Sequence, residues 1–258
     1  MKKSLMLGLI ALLLCFSAIA ASAKGALSWY TSPNKEHKQA LAAPELRFVE
    51  EFGGYYIDHT HGDENAERVV YLTFDAGYEN GNVERVLNAL RDTETPGAFF
   101  LLKHFVEANT GLVERMQREG HLVCNHTASH KNLSDASFEA IQSEIKALEV
   151  AVLKATGKGC ASYFRPPEGK FSREMLTAVE RLGYKTIFWS FAYADWDNDR
   201  QMAPDAALER ILAHVHNGAV LLLHPTSATN AAILPELIGR LRAEGYRFGT
   251  LDELCGAG

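Results

Sequence analysis

Clusters of positive charge are missing from this chain. Lys and Arg total 26 against 32 Asp and Glu, the formal net charge is -6, and no basic run occurs. That argues against a nucleic acid partner, which needs a concentrated cationic surface. Cysteine is scarce: Cys15, Cys124, Cys160 and Cys255, with no CxxC pair. The count excludes a disulfide framework, and the spacing excludes a cysteine-type zinc site. Cys124 lies in the apolar run Leu122-Val123-Cys124 and reads as core, which leaves a Cys160–Cys255 bridge open. Between Val69 and Leu254 there is no internal repeat, linker or low-complexity tract, so a solenoid or a string of domains is excluded. The apolar run Leu5–Ala20 is short for a bilayer span.

That run has another reading. Lys2-Lys3 precedes it and the small residues Ala21-Ser22-Ala23 follow it, the order of a secretory signal peptide. We expect cleavage after residue 23, a mature chain from Lys24 without a stable membrane span, and work outside the cytoplasm. An uncleaved N-terminal anchor is the alternative. Cys15 has no lipobox before it, which argues against a lipoprotein.

The chain has 258 residues, 47% hydrophobic and 22% charged, enough for one α/β domain with a sizeable core. Residues 24–67 read as an irregular polar arm and residues 68–258 as the catalytic domain. In the arm, His59 and His61 with nearby Asp residues suggest a metal site, but nothing regular fixes their geometry, and a solvated loop is the better reading. Val69–Phe74 is a buried strand that stops on Asp75 and a Gly-containing turn. Asn82 is placed to cap a helix with Val83, Val86, Leu87 and Leu90 at i, i+3, i+4, i+7. Further strands are expected at Gly97–Leu102, His121–Asn125, Tyr163–Arg165, Lys185–Ala192, Ala219–Leu223 and Tyr246–Gly249. The helices between them include Ser137–Thr156, stopped by Gly157, one capped by Ser172, one opened by Pro204, and Asn230–Glu244. Apolar strands alternating with helices indicate a parallel sheet covered on its outer face. The expected fold is α/β, a distorted barrel with fewer than eight regular units and an extended N-terminal arm.

Polar residues collect at the ends of these strands. Asp75 ends the first, His126 follows the third with His130 four residues on, Arg165 ends the fourth, Asp195 and Trp196 follow the fifth, and His224 ends the sixth. The carboxyl ends of parallel strands share one face, where barrel enzymes build their sites. Alone, Asp75 is equally a turn residue and the histidine pair equally structural, while His224 has a core histidine as its alternative although its strand-end position favours an acid. Together they form one site. Two imidazoles at this spacing suit a divalent cation, which polarises a carbonyl and activates water. Asp75 is then the candidate base and His224 the candidate acid, with Arg165 holding Asp75 ionised and Asp195 holding His224 protonated. The chemistry indicated is metal-assisted hydrolysis of an amide or ester.

Five stretches carry a resemblance: Thr73-Phe74-Asp75-Ala76-Gly77, His126-Thr127-Ala128-Ser129-His130, Arg165-Pro166-Pro167, Asp195-Trp196 and Leu222-Leu223-His224. In this order they resemble the motifs of polysaccharide deacetylases, carbohydrate esterase family 4. The resemblance spans about Val69 to Leu254 and implies a distorted β/α barrel that removes acetyl groups from N-acetylated sugars. It implies Asp75 as base, His126 and His130 as metal ligands, and His224 as acid tuned by Asp195. Arg165 would orient Asp75, and Tyr78, Glu168 and Trp196 would border the sugar groove.

Ser28-Trp29-Tyr30, Gly54-Tyr55-Tyr56-Ile57, Tyr78-Glu79-Asn80-Gly81 and Phe188-Trp189-Ser190 resemble the δ-lactam-biosynthetic branch of that family more narrowly. This implies deacetylation of N-acetylmuramic acid in peptidoglycan glycan strands after an amidase has removed the peptide. The product amine then closes on the lactyl carboxyl, as in spore cortex. Catalytic silence with glycan binding retained, or action on N-acetylglucosamine and chitin oligomers, are the alternatives.

Two departures from the family pattern stand out. Ala76 occupies the place of the usual metal-ligating Asp, so a cation (Zn, Mn, Co or Mg in type) is expected to be loosely held, with Glu79 or Asn125 as candidate replacement oxygens. Glu168 follows Arg-Pro-Pro where an aromatic residue is usual, altering the groove wall while its backbone N–H remains for an oxyanion. Among the aromatics near the fifth strand, Trp189 reads as core and Trp196 as groove.

Overall fold

The computed structural model describes residues 25–256. The expected signal peptide lies outside the described residues. Among them, no helix is long and apolar enough to cross a membrane.

The element order is β1 (Leu27–Ser28), a 3-10 helix (Pro44–Phe52), β2 (Gly54–Tyr55), β3 (Arg68–Ala76), α1 (Asn82–Asp92), β4 (Ala98–Leu101), α2 (Lys103–Ala108), α3 (Thr110–Arg118) and β5 (Leu122–Asn125). It continues through α4 (Phe138–Thr156), β6 (Tyr163–Phe164), a 3-10 turn (Pro167–Gly169), β7 (Lys170–Phe171), α5 (Arg173–Arg181), β8 (Lys185–Ile187), α6 (Pro204–Leu212), β9 (Ala219–Leu223), α7 (Ala228–Ala243), β10 (Tyr246–Phe248) and α8 (Leu251–Leu254).

Eight strands form one parallel sheet in the order β10-β3-β4-β5-β6-β8-β2, with β9 also on β3. A parallel bridge from Phe191 to Leu221 brings the end of the sheet round towards β9, and the result is a distorted β/α barrel. β3 is its central stave. Its even residues Val70, Leu72, Phe74 and Ala76 pack under α1 and α7. Its odd residues Val69 and Tyr71 face Phe100, Cys124, Ile187 and Val220 inside the barrel. The two-residue period of a strand carries this inward line on through Thr73 to Asp75. Inside the barrel, Leu251, Leu254 and Cys255 of the α8 region join the same apolar cluster.

The arm is more ordered than its composition suggests. Gly54-Tyr55 pairs with Thr186-Ile187 as an edge strand, and Leu27-Ser28 pairs antiparallel with Lys170-Phe171. Runs of two residues are too short to show periodicity, so the sequence hides them. Trp29 stacks on Phe188 with ring centroids 4.3 Å apart and donates its indole N–H to the Trp189 carbonyl at 2.9 Å. His61 is buried, not solvated: its Nδ1 lies 2.6 Å from Asp58 Oδ2, which also accepts the Tyr71 hydroxyl at 2.5 Å. This contact ties the arm to β3. His59 is exposed and meets Glu50 at 2.7 Å.

Other details differ from the sequence reading. The N-cap of α1 is Gly81 in a left-handed conformation, φ 89°, not Asn82. Glu79 supplies the cap instead, accepting Gly81 N–H at 2.7 Å and Val83 N–H at 3.1 Å. Ser172 caps α5 as expected, and Ser137, read only as the start of its helix, caps α4 in the same way, each accepting a backbone N–H three residues on. The fifth expected strand is shorter, ending at Ile187. Cys124, Cys160 and Cys255 are free thiols, so the Cys160–Cys255 bridge is absent.

Candidate active site

At the carboxyl ends of the strands lies a cleft of about 710 Å³, bordered by Asp75, His126, His130, His224, Tyr78 and Trp196 among others. Arg165 and Asp195 sit in the wall behind it, almost wholly buried. The strand-end residues singled out in the sequence therefore converge on one place.

Arg165 is fully buried, and each of its three side-chain nitrogens has a partner. Nη1 donates to Asp75 Oδ1 at 2.7 Å, Nη2 to Thr73 Oγ1 at 2.9 Å and Phe188 O at 3.3 Å, and Nε to Ile187 O at 3.0 Å. The guanidinium also lies 4.1 Å from the centre of the Phe100 ring. One carboxylate oxygen of Asp75 is thereby fixed, and the other lies 3.6 Å from His126 Nε2. Burial alone would raise the Asp75 pKa. The attraction of Arg165, followed by His126 and His224, outweighs it and holds the carboxyl below its ordinary range.

His126 is buried, and its Nδ1 lies 2.9 Å from the Arg165 carbonyl. That carbonyl accepts the Nδ1 proton and leaves the Nε2 lone pair free. Burial, with neighbouring His130, overcomes Asp75 and pushes its pKa down to about 4, so the ring is neutral near pH 7. The His130 ring centroid lies 5.0 Å from that of His126. A neutral imidazole with a free, fixed nitrogen beside a second imidazole and a carboxylate suits a divalent cation. Ala76 adds no donor atom. Both candidate replacements are otherwise engaged. Glu79 caps α1, and Asn125 accepts Thr127 N–H at 2.9 Å while donating to Ile145 O at 3.0 Å. Among the described residues no group of three His, Cys, Asp or Glu side chains gathers as a metal cluster.

His224 meets Asp195 twice: ring Nδ1 lies 2.7 Å from Oδ1, and its backbone N–H donates to Oδ2 at 2.8 Å. Asn230 of α7 donates to Asp195 Oδ2 at 2.6 Å and to His224 O at 3.1 Å. The Tyr193 hydroxyl donates to Asn230 Oδ1 and so sets the direction of that amide. Burial lowers the His224 pKa, but the Asp195 hydrogen bond and charge, with Asp75, raise it on balance. Asn230 escaped the sequence reading, and Tyr193 entered it only as one of the aromatics near the fifth strand, not as a partner of Asn230. Asn230 looks like a helix residue in the first turn of α7, and its role depends on a partner 35 positions away. Replacing Asn230 by Leu is expected to loosen Asp195, so that the His224 ring, followed by NMR, loses its proton at lower pH. An unchanged titration with a lowered Tm would make the amide purely structural.

The groove residues divide. Tyr78 and Trp196 are exposed at the cleft, 47% and 59%, and Trp196 stands 6.2 Å from His224 between ring centroids. Tyr78 accepts a hydrogen bond from Asn198, which links the two loops that carry these aromatics. Glu168 borders the cleft in a left-handed conformation, φ 57°, with Oε2 2.5 Å from Lys170 Nζ. Trp189 does both things: it is half-buried, packed against the core cluster that holds Trp29, Tyr56 and Phe188, and it also borders the cleft beside Arg165.

A carboxylate braced by a buried arginine, two adjoining imidazoles and an Asp-backed histidine at one end of a β/α barrel define a hydrolase-type site. Residues 62–187 match the family described as Polysaccharide deacetylase. The Bacillus subtilis peptidoglycan-N-acetylmuramic acid deacetylase PdaA is 36% identical over 229 residues, covering 88% of this chain and 85% of that protein. The structure of PdaA superposes with a TM-score of 0.85 at 35% identity, over 91% of this chain and 98% of that one. A family 4 carbohydrate esterase from Bacillus anthracis gives 0.71 at 31% identity, over 90% and 100%. A family 4 pseudoenzyme, also from Bacillus anthracis, gives 0.70 at 26% identity, over 78% and 68%. The chain belongs to the polysaccharide deacetylase family, carbohydrate esterase family 4.

Proposed function

We propose that this chain hydrolyses the N-acetyl group of N-acetylmuramic acid in peptidoglycan glycan strands. The strands would reach it after an amidase has removed the peptide. The freed amine then attacks the lactyl carboxyl of the same sugar to close the muramic δ-lactam of spore cortex. A hydrolase of N-acetyl amide bonds follows from the family, and peptidoglycan from the name of the relative that matches over most of both chains. The observation that carries the reading is the pairing of Asp75 with Arg165 and of His224 with Asp195 on one cleft.

Asp75, kept ionised, takes the proton of the attacking water as base. His224, kept protonated by Asp195, gives a proton to the departing sugar nitrogen. His126 and His130 would hold a divalent cation of the zinc, manganese, cobalt or magnesium type, which when bound polarises the acetyl carbonyl and activates the water. With Ala76 in place of a third ligand, it would be held loosely and partly through substrate. Tyr78 and Trp196 offer faces to sugar rings, and Glu168 shapes the opposite rim. A cell-wall substrate places the protein outside the cytoplasm.

The test is acetate release and mass spectrometry of peptide-stripped glycan strands, with added divalent metal. Acetate loss followed by loss of water from the muramic residue is expected. Folded protein that releases none would overturn the reading, and equal release from chitin oligomers would move it to N-acetylglucosamine. Ala76 and the pseudoenzyme relative favour a second reading, a silent glycan-binding protein. Glycan affinity without turnover, unchanged by Asp75→Asn, would select it.

A further inference from the structure

The loop between the two candidate ligand histidines is unusual in where its backbone hydrogen bonds go. Four consecutive N–H groups are met by side chains. Thr127 N–H donates to Asn125 Oδ1 at 2.9 Å, Ala128 and Ser129 N–H both donate to Glu144 Oε2 at 3.0 and 2.9 Å, and His130 N–H donates to Thr127 Oγ1 at 2.9 Å. The Ser129 hydroxyl adds a bond to Glu144 Oε1 at 2.7 Å. Two of these residues, Thr127 and His130, have left-handed backbones with φ 75° and 58°. A non-glycine residue there is strained and persists only where its surroundings over-determine it.

The surroundings here are α4. Glu144 projects from it into the loop, and the carbonyl of the next residue, Ile145, accepts from Asn125. Successive backbone N–H groups in a tight turn make a concave site for an anion. In this chain a side-chain carboxylate fills it. The two imidazoles sit at the ends of the turn, so the turn's shape sets their separation.

We propose that Glu144 is a positioning residue for metal binding: its carboxylate, seated in the 127–130 turn, holds His126 and His130 at the separation a shared cation requires. The idea rests on the reading of those two histidines as ligands. It assigns Glu144 no contact with metal or substrate. It also explains how a site with two protein ligands and Ala76 beside them keeps a defined geometry: rigidity is supplied from behind.

The two backbone bonds converge on one oxygen, Oε2. A glutamine at 144 can place its carbonyl oxygen there and point its amide at the Ser129 hydroxyl, so Glu144→Gln keeps the geometry and removes the charge. Glu144→Ala removes both. Zinc binding to the full mature chain, measured by calorimetry well below each variant's Tm, separates the possibilities, with His126→Ala as control. Supporting residues of this kind typically change metal affinity ~10–100-fold when removed. We expect Glu144→Ala to weaken zinc binding by about that factor and Glu144→Gln to stay within ~3-fold of wild type. Wild-type affinity in Glu144→Ala overturns the proposal. A loss in Glu144→Gln as large as in Glu144→Ala overturns it too, because charge and not position would then be the cause. Zinc affinity of the wild type that is absent, or unaffected by His126→Ala, rejects the ligand assignment itself and the proposal with it.

Discussion

Asp75→Asn is expected to lower kcat for acetate release by about 10²–10⁴-fold, the usual worth of a general base. Asparagine has nearly the shape of aspartate, and its carbonyl oxygen can still accept the 2.7 Å bond from Arg165. What it cannot do is accept a proton from water. The loss should therefore appear in kcat with little change in glycan affinity, since Tyr78 and Trp196 at the cleft are untouched. A variant that keeps more than about a tenth of the wild-type rate would remove Asp75 from the base role. The wild-type rate should rise with pH as Asp75 ionises, below the ordinary carboxylate range because Arg165, His126 and His224 hold the anion. It should fall at higher pH as His224 deprotonates, above the ordinary imidazole value because Asp195 holds the cation.

Arg165→Met is expected to cost about 3–5 kcal/mol of stability, the usual penalty for breaking a buried ion pair from one side. It leaves Asp75 buried with its charge uncompensated and strips partners from Thr73 and the Ile187 and Phe188 carbonyls. The pH dependence supplies a second signature. In the wild type the Asp75 pKa is depressed, so its contribution to stability is present above the unfolded value and is lost as pH falls through the folded one. Without Arg165, burial is the leading influence and raises the pKa, so the sign of the Asp75 contribution reverses and acid favours the folded state. Adding Asp75→Asn to Arg165→Met should recover a large part of the loss while restoring no activity. Denaturant unfolding of the four proteins, at neutral and mildly acidic pH, makes the comparison. Additive losses in the double variant would show that the two residues act independently.

Much of the fold was legible because its signals are local. The run Val69–Phe74, the amphipathic periods of α1, α4 and α7, the serine cap at Ser172, the glycine that stops α4 and the proline opening α6 each lie within a few residues of their effect. The convergence of Asp75, His126, His130, Arg165, Asp195 and His224 was legible for a related reason. In a parallel β/α fold, the end of every apolar strand faces the same way, so position along the chain already encodes position in the site.

What stayed hidden involves partners distant in sequence or residues without a pattern of their own. Gly54-Tyr55 becomes a strand only because β8 presents an edge to it. His61 is buried because Asp58 and Tyr71 close round it, although its neighbours in sequence are polar. Trp189 packs against the core as a strand residue would, but the chain leaves the sheet after Ile187 and the residue also borders the cleft.

The sequence by itself determined the barrel class, the face that carries the site and the residues gathered there. The tertiary structure decided their environments. Arg165 is wholly buried against Asp75, Asn230 with Tyr193 stands behind Asp195, and Glu144 braces the histidine loop. The physical reason is one of range. Hydrophobic period and strand direction are written into neighbouring residues, whereas desolvation and hydrogen-bond geometry arise only when side chains tens of residues apart are packed against one another.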